Sequence, residues 1–188
     1  MDSGYFCGLD RQAFLREAEA FHGHVSPGVV LGGHLLAEAL AGLGDTPTLN
    51  VVVETVVCLP DAVQILTPCT VGNGFLQLLD WGKFALTAYD RETLEGFRAW
   101  PDLAAIAGFP AISGWFLRGS GPALPKDQVV QHLLNHGPEL VRTRPVRLAQ
   151  ALKPQDKVPT GPCPACGESY PLRLGTTCPA CAGQAYYR

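Results

Sequence analysis

Apolar residues recur at helical spacing from Arg11 to Phe21 (RQAFLREAEAF), with Phe14, Leu15, Ala18 and Phe21 on one face. The pattern predicts an amphipathic helix that stops at His22-Gly23-His24. A second helix is expected to begin sharply at Ser26, whose hydroxyl suits an N-cap. Pro27 then takes the first helical position, where its missing N–H costs nothing. This helix runs through VVLGGHLLAEALAG to Gly42 or Gly44, residues that accept a left-handed cap. Gly28, Gly32 and Gly33 weaken it intrinsically, and their recurrence on one face suggests close approach of another backbone.

The β-branched run Leu49–Val57 (LNVVVETVV) reads as a buried strand. It delivers Cys58, after which Pro60-Asp61 opens a short helix, PDAVQILT. Beyond the turn PCTVGNG come FLQLLD, KFALTAYD and GFRAW, meander-like strands separated by turns at Trp81-Gly82 and near Glu92–Gly96. Weaker helical patterns cover 101–107 and 126–135. Helices flanking an antiparallel-rich sheet make an α+β core. From Arg142 to Pro162 the chain turns basic and Pro-containing with little periodicity, so a connector is expected. The expected division is a core with its connector over 1–157 and a small terminal module over 158–188.

Composition narrows the function classes. In 188 residues, 47% hydrophobic content suffices for one sizeable core plus an appendage. A net charge of −3 argues against a protein that coats nucleic acid, which needs clustered Lys and Arg. The local exception, Arg142, Arg144, Arg147, Lys153 and Lys157, reads as a solvated linker. No apolar run approaches bilayer length, and the start MDSGYFCGLDRQ lacks a secretory pattern. The expectation is a soluble, cytoplasmic protein with no membrane partner.

Four of the seven cysteines form two near copies, Cys163-Pro-Ala-Cys166-Gly and Cys178-Pro-Ala-Cys181-Ala-Gly. In a cytoplasmic chain such pairs point to metal rather than disulfides. Each short turn lets two thiolates converge on one ion, and two turns supply the tetrahedral sulfur set that zinc prefers. An iron centre or a redox dithiol pair is the alternative. With all four positions taken by protein, the module is expected to build structure rather than catalyse.

The core offers a second group. His22 and His24 lie between two helices, Cys58 lies between a strand and a helix start, and Cys69 follows one short helix later. A thiol at a helix N-terminus has its thiolate stabilised by unpaired N–H groups, so Cys58 is a candidate nucleophile or ligand. The ordinary readings are a capping His22, a solvent-facing His24, and Cys58 and Cys69 as small core residues. His132 and His136 stand four apart on one helix, more in keeping with an exposed face than with a metal pair. His34 sits within an apolar helix and reads as structural, and Cys7 has no evident partner.

Several stretches in order resemble the E component of formylmethanofuran dehydrogenase and its relatives. They are Phe21-His22-Gly23-His24-x-x-Pro27-Gly28 and Glu54-Thr55-x-x-Cys58-x-x-Asp61-Ala62-x-Gln64, then Thr67-x-Cys69-Thr70-x-Gly72-x-Gly74. Asp80-x-Gly82-Lys83 follows, leading into Ala85-x-Thr87-x-Tyr89. The resemblance implies an α+β core that dimerises, with a treble-clef-like zinc finger attached. It also implies association with molybdenum- or tungsten-dependent one-carbon chemistry, and hence a redox-complex partner. Relatives usually carry Cys where this chain has Ser26, a far poorer soft-metal ligand. His22, His24, Cys58 and Cys69 then remain as a candidate N/S site, with Asp61 and Lys83 as supporting or substrate-anchoring charges. A non-enzymatic adaptor, docking a partner through its finger, is the alternative.

Overall fold

The computed structural model describes residues 5–118, 124–150, 152 and 158–187. The chain divides into two compact units, Met1–Pro154 and Gln155–Arg188. The exposed-connector reading of Lys153 and Lys157, and the expected boundary at 157, fall outside the described residues.

The first unit is α+β. A two-stranded hairpin, β1 (Tyr5–Phe6) with β2 (Leu9–Asp10), precedes α1 (Arg11–His22). Asp10 caps α1 by accepting the Ala13 N–H, and Gly23 ends it in the left-handed region at φ 85°. Helix α2 (Pro27–Leu43) starts as its sequence predicts, with Ser26 as N-cap. Every residue from Pro27 to Leu36 is buried. A helix that is apolar all round belongs inside a core. Here Val29, Val30 and Leu31 pack among helices. Leu35, Leu36 and Ala39 pack on the sheet side.

Strand β3 (Leu49–Val53) is followed by α3 (Leu59–Leu66) and β4 (Leu76–Leu78), which pairs with β3 in parallel. A parallel pair needs a crossover, and α3 supplies it. The remaining strands, β5 (Leu86–Asp90), β6 (Glu95–Pro101) and β7 (Val141–Arg147), pair antiparallel. The sheet order is β4-β3-β5-β6-β7. Val51, Val53, Leu86, Ala88 and Ala99 belong to the core cluster shared with α2. Between β6 and β7 lie α4 (Leu103–Ala107), α5 (Pro110–Phe116), α6 (Lys126–His136) and a 3-10 turn over Gly137–Leu140.

The stretch 142–147, expected as part of a connector, instead belongs to the edge strand β7. Its residues are exposed or half-buried throughout, so alternation carries no signal. Arginines and Pro145 are what an edge strand tolerates, since its outer N–H groups need no partner and charge discourages further pairing. Short helix α5 and hairpin β1–β2 also lack a sequence pattern long enough to announce them.

Asp90 closes the β5 end of the sheet. It accepts from the Thr46 hydroxyl, from the Thr48 hydroxyl at 2.8 Å, and from the N–H groups of Glu92 and Thr93 at 2.8 and 3.0 Å. The Thr46 hydroxyl, the Thr93 N–H and the Thr48 hydroxyl hold its carboxyl well below the usual carboxylate range. A depressed folded-state value stabilises the fold above the unfolded value of about 3.9 and loses that stabilisation as pH falls below it. Asp90→Asn is therefore expected to lower the urea midpoint at pH 7 and to shrink the wild-type advantage at pH 3. An undiminished gap at pH 3 would show that the bonds do not depend on the charge.

Candidate functional site

The second unit is built around its cysteines. Hairpin β8 (Thr160–Pro162) and β9 (Ser169–Pro171) encloses the first pair in its turn. The turn is closed by Gly167 N–H to Cys163 O and Cys163 N–H to Glu168 O, both 2.8 Å. Gly167 takes φ 78°, a conformation that favours glycine. The second pair opens a short helical turn over Ala180–Gln184. The Cys178 N–H donates to Cys163 Sγ at 3.4 Å, and the Cys181 N–H to Cys178 Sγ at 3.5 Å.

All four sulfurs lie within 4.8 Å of one another, with Cys166 and Cys178 at 3.8 Å. A tetrahedral ion about 2.3 Å from each sulfur needs them about 3.8 Å apart. The thiols themselves call for a cation. The Cys178 N–H leads in pushing Cys163 down to about 6, while Cys181, left sharing hydrogen bonds with Cys178 and Cys166, is pushed up to about 12. Crowded thiols titrate apart in this way when no positive charge holds them all as thiolates. The donor set and spacing fit a metal with no position left open.

In the first unit, α1, α2 and α3 bring their ends together. Cys58 precedes α3 with φ 57° and ψ −42°, and the Leu59 N–H reaches Val57 O at 2.6 Å across it. This is a γ-turn of the rarer, strained hand, costing about 1–3 kcal/mol for a residue other than glycine. The strain aims the thiol at α2. A Cβ on Gly28 would meet Cys58 Sγ and Cβ at 2.8 Å, and one on Gly32 would meet Ala62 Cβ at 2.8 Å. The glycines thus give α3 its close approach, as their recurrence suggested.

His22 Nδ1 lies 2.6 Å from Asp61 Oδ2, and its Nε2 lies 3.9 Å from Cys58 Sγ. Ser26 Oγ accepts the Gly28 N–H at 3.3 Å and sits 3.5 Å from Cys58 Sγ. Its cap uses a lone pair and leaves its O–H able to point at the sulfur. The His24 ring is exposed, with its centroid 5.0 Å from that of His22. The structure therefore gathers His22, His24, Cys58, Ser26 and Asp61. It does not bring Cys69 to them. Cys69 is buried beyond the far end of α3, where its thiol donates to Leu49 O at 3.4 Å and burial pushes its pKa up.

The other histidines and Cys7 have local explanations. His34 is buried, its ring centroid 4.6 Å from that of Phe6, and a Cβ on Gly137 would meet it at 2.0 Å. His132 is exposed. His136 lies beside Phe109 and 3.2 Å from Glu139, a carboxylate that the helical spacing of the two histidines did not reveal. Burial pushes the Cys7 thiol up to about 11.

One further group escaped the sequence. Glu54, 5% exposed, accepts from Arg98 Nε and Nη2, both at 2.7 Å. The Glu54 side chain was visible only as a motif letter, and nothing in β6 marks Arg98 as its partner 44 residues away.

Among the described residues, the four terminal cysteines form the one group of three or more His, Cys, Asp or Glu donors within mutual ligating reach. Among them, too, no helix is long and apolar enough to cross a membrane.

Known proteins resemble both units. A family model described as FmdE, molybdenum formylmethanofuran dehydrogenase operon, matches residues 21–148. A second, the FmdE treble clef zinc finger, matches residues 155–188. A crystal structure of a tungsten formylmethanofuran dehydrogenase FmdE-like protein from Syntrophus aciditrophicus superposes with a TM-score of 0.89 at 34% identity, covering 98% of each chain. A probable S-adenosyl-L-methionine-binding protein from Archaeoglobus fulgidus is 38% identical over 96 residues. That match takes in 46% of this chain and spans only 26% of the archaeal protein.

Proposed function

The chain belongs to the FmdE family, and from that premise we propose that it is a metal-binding accessory protein of molybdenum- or tungsten-dependent one-carbon redox metabolism. Zinc holds the terminal finger through Cys163, Cys166, Cys178 and Cys181, and a second, open metal centre lies in the core on His22 and Cys58. The likeness to a tungsten formylmethanofuran dehydrogenase FmdE-like protein supports the metabolic setting. The homodimer follows from the family resemblance and belongs to the same reading.

The observation that carries the core centre is the orientation of His22. A hydrogen bond from its Nδ1–H to Asp61 fixes the tautomer whose Nε2 lone pair faces Cys58 Sγ. Carboxylate–histidine pairing of this kind orients metal ligands and raises their basicity. Two ligands at about 2.1 and 2.3 Å from a tetrahedral ion stand about 3.5 Å apart, so 3.9 Å needs a small adjustment. Ser26 supplies no second thiolate; its hydroxyl tempers the Cys58 sulfur. His24 is exposed beside His22, its ring centroid 5.0 Å away, and completes no three-donor set with the pair as the side chains stand. A divalent ion held there supplies Lewis-acid activation of water or a polar substrate. With few protein donors the core ion is held more weakly than the finger's.

Metal content per chain tests this. The intact protein is expected to hold two ions, with His22→Ala/Cys58→Ala losing one and the terminal unit keeping the other. One ion per chain, lost only with the terminal cysteines, would sink the core centre. The adaptor reading would then lead, favoured by the exposed Leu172, Leu174, Tyr186 and Tyr187 of the finger unit.

A further inference from the structure

The Asp80-x-Gly82-Lys83 motif takes no part in either metal centre, yet its lysine borders a cleft of about 430 Å³. Phe84, Trp100 and Phe116 line it together with Lys83 and Arg98. That volume lies within the range of about 300–1,000 Å³ usual for small-molecule sites. We propose that this cleft binds a small planar aromatic anion, with the three rings as walls and Lys83 and Arg98 receiving the carboxylate.

The walls are fixed. The Phe84 and Phe116 rings meet edge to face at 6.0 Å and 90°. Trp100 lies under the guanidinium groups of Arg98 at 5.2 Å and Arg144 at 5.9 Å. Rings held in this way offer faces and edges to another aromatic ring without losing side-chain freedom on binding.

The charges around the cleft favour an anion. Two carboxylates adjoin the cleft, and both are engaged. Asp102 receives Arg142 Nε and the N–H groups of Ala104 and Ala105, and Glu54 receives Arg98 side-on. The Glu54–Arg98 pair is neutral as a unit, yet it locks the guanidinium while using only Nε and Nη2. Nη1 takes no hydrogen bond among the described residues, and one of its N–H groups with the second N–H of Nη2 makes the end-on fork that a carboxylate accepts. Lys83 tips the balance, because its ammonium has no carboxylate partner among the described residues and only hovers 5.7 Å from the Trp81 ring. The backbone sets its place, with the Lys83 N–H donating to Glu54 O at 3.0 Å. Glu54 thus positions both cations, one through its side chain and one through its carbonyl. The inference does not depend on the core metal.

The zinc-loaded full chain is titrated calorimetrically with 2-naphthoate and with 2-naphthalenemethanol, its neutral analogue of the same shape. Naphthoate is expected to bind more tightly than the alcohol. Lys83→Met is expected to weaken naphthoate about tenfold, the loss of one charge-assisted contact, and to leave the alcohol unchanged. Trp100→Ala weakens both, and Lys126→Met, on α6, affects neither. Lys83 is exposed, so its variant keeps the test sound even where Trp100→Ala fails to fold. Equal affinity for acid and alcohol, or a Lys83→Met variant that binds both as wild type does, overturns the proposal. So does the absence of binding by either compound, as when a second copy of the chain covers the cleft.

Discussion

Cys163→Ser/Cys178→Ser is expected to lose the finger's metal and the fold of the terminal unit together. Among its described residues the unit's buried cluster is only Cys163, Tyr170 and Cys178, with Ala180 against it. So little apolar area cannot offset the ordering of some thirty residues. Ligation must supply the difference, and zinc modules of this kind gain on the order of 10 kcal/mol from it. Two serines remove two of the four soft ligands, including the pair that receives the backbone N–H groups of Cys178 and Cys181. Zinc content and amide exchange over 158–187 read the outcome, and the unfolding transition of the first unit should persist. Protected amides in a zinc-free variant would mean that the unit folds on its own contacts.

The second large effect belongs to Arg98. Arg98→Met leaves the Glu54 carboxylate buried without its two 2.7 Å partners. Breaking a buried pair by removing one member costs about 3 kcal/mol, because the remaining charge keeps its desolvation penalty. Arg98 is itself partly exposed, which places the expectation at the lower end of the range for buried pairs. The double variant Glu54→Gln/Arg98→Met should recover much of the loss, since no buried charge is left. Urea midpoints of the two singles and the double give the coupling directly. A loss below about 1 kcal/mol for Arg98→Met would show that water reaches Glu54, as it does at exposed pairs.

Local chemistry was legible along the chain. Ser26-Pro27 marks the start of α2 because cap and first-turn preferences are decided within a few residues. The finger's ligands were readable for the same reason: each Cys-x-x-Cys turn positions its own two sulfurs, and the near-copy declares the other two. Strand β7 was not readable, because an edge strand with its arginines in solvent carries neither a buried face nor an alternation.

The candidate core site divides along the same line. Sequence by itself determined the residue types, His22, His24, Cys58 and Asp61, and the glycines that permit close packing. It favoured Cys58, at the start of a helix, but kept Cys69 in the candidate set, since both adjoin the same short helix. Only the tertiary structure decided that His22 meets Asp61 across 39 positions and Cys58 across 36. Only it joined Glu54 to Arg98 and placed Lys83 beside the same cleft. The physical reason is range. Caps, turns and ligand pairs are settled by steric and hydrogen-bonding preferences between near neighbours. Contacts between distant residues follow from how closely α3 seats on Gly28 and Gly32, and from the strand register that sets Arg98 within reach of Glu54.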